Sequence, residues 1–111
     1  SAEAERDRLD LLAKVAAAFI AGVSAQALLE VRRAETAVAE STVAAVRRRS
    51  ESGAAPRFEL DKAEVAVLQA QILEDRASHA LAGARRRLSS LMGQAEPRFG
   101  VLRADLMTLP S

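Results

Sequence analysis

From Glu3 to Ser52 the chain contains no proline and a single glycine, Gly22. Apolar positions in that run fall at Leu9, Leu12, Ala16, Phe19 and Val23, in alternating steps of three and four. That spacing holds one face of a helix against a partner helix. The stripe continues through Ala27, Val31, Ala34 and Val38, where two successive four-residue steps slip the heptad once. Such a slip moves toward an eleven-residue repeat and straightens a left-handed supercoil; a plain coiled coil with one stutter has the same pattern. The prediction is a helix over about residues 3–52 with this stripe as its seam.

The pattern breaks at Ser50-Glu51-Ser52-Gly53-Ala54-Ala55-Pro56. Gly53 suits the left-handed position that closes a helix, and Arg47, Arg48 and Arg49 complement the negative helix end before it. Pro56 cannot extend the first helix but fits the start of another. Glu59, Asp61 and Glu64 then place carboxylates where a helix N-terminus favours them. A second helix is predicted over about residues 57–92. Its seam reads Leu60, Ala63, Val67, Ala70, Glu74, Ala77, Leu81, Ala84, Leu88 and Leu91, interrupted only by Glu74. Val65, Leu68 and Ile72 lie off that seam and form a second apolar strip, which implies a further neighbour. A short connection between two such helices makes an antiparallel hairpin. Gly93 is expected to end the second helix, leaving residues 94–111 as an irregular tail around Pro97, Gly100 and Pro110, with at most a turn of helix at Leu102 to Met107. The expected organisation is therefore a hairpin over 1–93, with its tip at 53–56, followed by the tail.

Composition supports an all-α, coiled-coil-like hairpin. Half the residues are apolar but only 3% are aromatic, so alanine carries much of the packing. Small side chains let helix backbones approach closely over a long seam, and alanine is the best helix former. A net charge of +1 gives no general attraction to nucleic acid or anionic membrane. Without cysteine there is no disulfide framework and no thiolate metal site. The uncharged stretch Val15 to Leu29 is too short to span a bilayer and reads as a packed helix. The chain opens on the charged run Ala2 to Arg8 rather than a signal peptide, and both ends read as cuts within a larger protein.

The stretch from Val46 to Glu64 resembles the hairpin tip of TolC-type outer-membrane efflux channels. There a basic residue precedes a glycine, a small-residue turn follows, and a leucine and an Ala-Glu pair open the return helix. Leu81-Ala82-Gly83-Ala84-Arg85-Arg86-Arg87-Leu88-Ser89-Ser90-Leu91-Met92-Gly93 is similar to the family's ending of that helix. The tail, Ala95-Glu96-Pro97-Arg98-Phe99-Gly100 with Asp105-Leu106 and Leu109-Pro110, resembles the heavy-metal, CzcC-like branch. The resemblance implies a segment of a periplasmic α-barrel in a trimeric conduit at the outer membrane of a Gram-negative bacterium. It also implies a periplasmic adaptor and an inner-membrane pump as partners, no catalysis and no cofactor. The membrane would be reached only through parts of the parent outside this chain. Of the parent's two hairpins, the tail favours the first. The same resemblance makes Arg49, Ser50, Glu51, Ser52, Gly53, Ala54, Ala55 and Pro56 the adaptor-docking tip, although any helical hairpin needs a turn and this is a good one.

Asp75 and His79, one turn apart on a helix with Glu74 adjacent, are the metal candidates; two or three ligands from one helix make an open site, and a solvated polar face is the plainer reading. Glu74 is either a seam-edge residue or a contact to a basic residue of the first helix. Arg47 to Arg49 and Arg85 to Arg87 lack interleaved aromatics, so nucleic-acid binding is disfavoured. Both runs are expected near helix C-termini, where dipole compensation accounts for them. One histidine without an elbow motif or a phosphate loop offers no enzyme. Two alternatives remain: a periplasmic helical metal sensor or chaperone, and the structural coiled-coil hairpin of an adaptor protein. By itself the chain is expected to cover its spare strip by self-association into a four-helix arrangement.

Overall fold

The structure, a computed structural model, describes the backbone of residues 1–107 and the side chains of residues 1–97. It is an all-α hairpin: α1 spans Ala2–Glu51 and α2 spans Arg57–Met107. The chain divides into two compact units, one formed by Ala25–Leu81 and the other by Ser1–Ser24 with Ala82–Ser111.

The unit at the turn, Ala25–Leu81, packs the end of α1 against the start of α2. Leu29, Ala77 and Leu81 form its buried cluster, with Ala25 against them. Buried or half-buried positions on α1 include Ala25, Leu29, Arg32, Thr36, Ala39, Val43, Val46 and Ser50, with Gln26 half-buried beside Ala25. Those on the α2 side include Leu60, Ala63, Val67, Ala70, Glu74, Ala77 and Leu81. Both series keep the four–three alternation that holds a two-helix seam in contact. Thr36 is the buried polar residue of the seam, and its hydroxyl donates to the Arg32 carbonyl at 3.0 Å. A buried hydroxyl so satisfied carries no desolvation penalty of an orphaned group. Near the turn the Arg47 guanidinium meets the Glu64 carboxylate at 3.3 Å, joining the two helices across water-exposed surface. Such an exposed pair contributes less than about 1 kcal/mol.

In the other unit, Leu11, Ala18, Leu91 and Ala95 are buried together, with Val15 and Leu88 packed on them. Its α1 positions, Leu11, Val15, Ala18 and Gly22, keep the same alternation, as do Ala84, Leu88, Leu91 and Ala95 on α2.

The α2 seam is therefore the one the periodicity predicts, and the α1 seam is not. Leu9, Leu12, Phe19, Val23, Val31 and Val38 are all exposed. The packed seam of α1 runs through smaller and more polar residues and keeps an unbroken seven-residue repeat. The reason is geometric. The α2 seam repeats strictly every seven residues, so its partner must repeat likewise to stay in contact. The Leu9–Val38 stripe never lies on that line: Leu12, Phe19 and Val23 stand one residue after seam positions, and past the slip Val31 and Val38 stand one residue before them, whereas Ala18, Gly22 and Ala25 keep to it and allow close approach. Val65, Leu68 and Ile72 are exposed, as expected of a strip off the α2 seam.

The second correction concerns the end of α2. The helix does not stop at Gly93 but continues through it and through Pro97 to Met107. An interior glycine costs a helix only about 1 kcal/mol relative to alanine, which packing overrides. Buried Ala95 and Leu91 supply that packing. Proline removes one N–H and crowds the carbonyl four residues earlier. At Pro97 that residue is Gly93, whose backbone carries no side chain to hinder adjustment. The expected irregular tail is thus helical through Met107; Thr108 to Ser111, including Leu109-Pro110, lie outside the described residues.

Candidate hairpin tip and lateral apolar faces

The tip is built by helix termination. Gly53 takes φ of +81°, the left-handed conformation expected of it. The Ala54 N–H then reaches back to the Arg49 carbonyl at 2.7 Å, and the Gly53 N–H to the Ser50 carbonyl at 3.1 Å. These two bonds are the Schellman closure of a helix. The Arg49 carbonyl also accepts from the Ala55 N–H at 3.1 Å and from the Ser52 hydroxyl at 3.0 Å. The chain leaves through Pro56, whose carbonyl accepts from the Glu59 N–H at 3.0 Å and so begins α2. A Cβ at Gly53 would meet nothing within 4 Å, so backbone conformation alone demands glycine there. Gly53→Ala is expected to destabilise the chain by roughly 1–2 kcal/mol, the cost of a left-handed L-residue. A chemical-denaturation midpoint unchanged by this substitution would contradict the closure described.

Of the sequence-predicted tip residues, Arg49, Glu51, Ser52, Gly53, Ala54 and Pro56 are exposed together. Ser50 is half-buried, and Ala55 is buried beneath the turn. These two support the tip from behind and do not belong to its outer surface. Phe58, the second residue of α2, is the most exposed of the large apolar side chains near the tip, and sequence reasoning did not single it out. Its position two residues before seam residue Leu60 was the available signal, since that spacing turns it away from the hairpin partner.

Exposed apolar surface is not confined to the tip. In the unit containing the chain start, Leu12, Val15, Ala16, Phe19, Ile20, Leu88 and Met92 line a shallow groove of about 660 Å³ that is almost wholly apolar. In the unit at the turn, Val43, Val67 and Leu68 line a second groove with Glu40, Arg47 and Glu64. Phe19 is 61% exposed and Leu68 59%, far from the burial of their seam neighbours. By length and composition α1 could also cross a membrane, since an 18-residue window in it reaches a mean hydropathy of 1.7 with 11% of it buried. The expectation that this stretch is too short counted only its uncharged residues. A helix packed on two sides has the same composition.

The polar candidates are dispersed. Asp75 and His79 are exposed on α2, and no third histidine, cysteine or carboxylate joins them in a metal-binding group among the described residues. Glu74 is half-buried and shares a polar groove with Arg33, Thr36, Ala37, Glu40, Gln71 and Asp75. It belongs to none of the ion pairs formed by Arg32, Arg47 or Arg57, which go to Glu35, Glu64 and Asp61. Two ligands on one face leave half of a tetrahedral zinc coordination sphere to water. Calorimetric titration with zinc is accordingly expected to show no saturable one-to-one binding. A tight isotherm lost in His79→Ala would support the sensor alternative instead.

Arg48 and Arg49 occupy the last turn of α1, where their charge complements the helix end. Arg85, Arg86 and Arg87 are different, because the extension of α2 to Met107 leaves them in mid-helix. The dipole effect fades within a turn of the terminus and does not account for them. They are exposed, and Arg86 lies back over Gly83, its guanidinium nitrogen 3.7 Å from where a Cβ there would be.

No curated protein and no solved structure matches this sequence. A family model described as outer membrane efflux protein matches residues 1–94. The match takes in all of α1, the tip, and α2 as far as Gln94, and leaves out every residue from Ala95 onward on which the heavy-metal resemblance rested. The family is one of transport proteins. A helical hairpin with a sealed seam, a capped tip and apolar side faces is what the matched region contains, and the chain belongs to the outer membrane efflux protein family.

Proposed function

We propose that the chain is a periplasmic hairpin of a trimeric outer-membrane channel that exports heavy-metal cations. In this reading its exposed tip docks on the periplasmic adaptor of an inner-membrane pump. The observation that supports it is the coexistence of a completed hairpin seam with large apolar side chains outside it. Phe19, Ile20 and Val23 on α1, and Val65, Leu68 and Ile72 on α2, are all exposed. Each such side chain contributes roughly 1.5–3 kcal/mol when fully buried. A chain whose own seam leaves no large side chain fully buried among the described residues gains most by burying them against neighbours. Hairpins set side by side as the wall of a tube do this on both flanks, and membership of the efflux family supplies the context. The conduit itself performs no chemistry; transport is driven by the pump.

The docking surface is formed by Arg49, Glu51, Ser52, Gly53, Ala54 and Pro56, held in one shape by the bonds converging on the Arg49 carbonyl. Opposite charges at Arg49 and Glu51 offer orientation to a partner at little desolvation cost. The test is Arg49→Glu combined with Ala54→Trp in the complete channel. Trimers are expected to form as before, while adaptor co-purification and cobalt, zinc and cadmium tolerance fall at least tenfold. Normal adaptor capture by this variant would refute docking at the tip. The cargo is tested separately: deleting the channel should sensitise cells to these cations, and sensitivity to organic compounds alone would overturn the metal assignment.

A further inference from the structure

We draw no further inference here: the strongest candidate, the apolar groove of Leu12, Phe19, Ile20 and Met92 in the unit containing the chain start, carries nothing further because nothing in the structure shows what covers it beyond the lateral neighbour already proposed.

Discussion

Leu29→Ala is expected to destabilise the chain by about 2–3 kcal/mol, while Val31→Ala, two residues further on, stays within about 0.5 kcal/mol of the parent. Leu29 is 3% exposed and packs with Ala77 and Leu81, whereas Val31 is 52% exposed. Truncating a buried leucine loses its transfer free energy and leaves a void that neighbours fill incompletely. The estimate sits in the lower part of the range for core leucines, because a two-helix seam is thin and relaxes readily. Urea denaturation of both variants, followed by helical circular dichroism, decides the matter. The comparison is sharp because Val31 belongs to the more hydrophobic stripe of α1 and Leu29 to the less hydrophobic one. A larger loss in Val31→Ala would return the α1 seam to the stripe through Leu9, Phe19 and Val38.

The paired substitution Leu68→Glu and Ile72→Glu should have the opposite profile. Both side chains are more than half exposed, so the hairpin loses little of its own packing. Its helix content and denaturation midpoint are expected to change by no more than about 1 kcal/mol. In the complete channel the same residues would lie against a neighbouring hairpin. There the change removes two apolar contacts worth roughly 1.5–3 kcal/mol each and buries two carboxylates without partners. Trimers resolved by size-exclusion chromatography should therefore be lost, with the monomer still helical. Trimers of normal yield and stability would eliminate the lateral neighbour at this strip. Together the two experiments separate what holds the hairpin together from what the hairpin offers to others.

Much of this organisation is legible in the residues. Gly53 and Pro56 mark the turn, because few residues tolerate a left-handed conformation and none but proline lacks the N–H a helix would use. The α2 seam is legible because one strip, Leu60 to Leu91, is continuous and the other, Val65 to Ile72, is short. On α1 that inequality is missing. The stripe of Leu9, Leu12, Phe19 and Val23 contains larger apolar side chains than Leu11, Val15, Ala18 and Gly22, so hydrophobicity selects the wrong face. The end of α2 misled for a related reason. Gly93 and Pro97 read separately as stop signals, yet the glycine stands four residues before the proline and eases its steric conflict within one helix.

Local preferences, then, determined two long helices, the place where the chain reverses, and the presence of more apolar surface than one hairpin consumes. These follow from backbone conformation and composition, which each residue carries with it. Only the tertiary structure decided which face of α1 seals the hairpin, that Ser50 and Ala55 support the tip rather than form its surface, and that α2 runs on to Met107. The choice of face depends on keeping a seven-residue repeat matched between two helices, and the other two on packing against the turn and against α1, relations that neither helix's sequence contains alone.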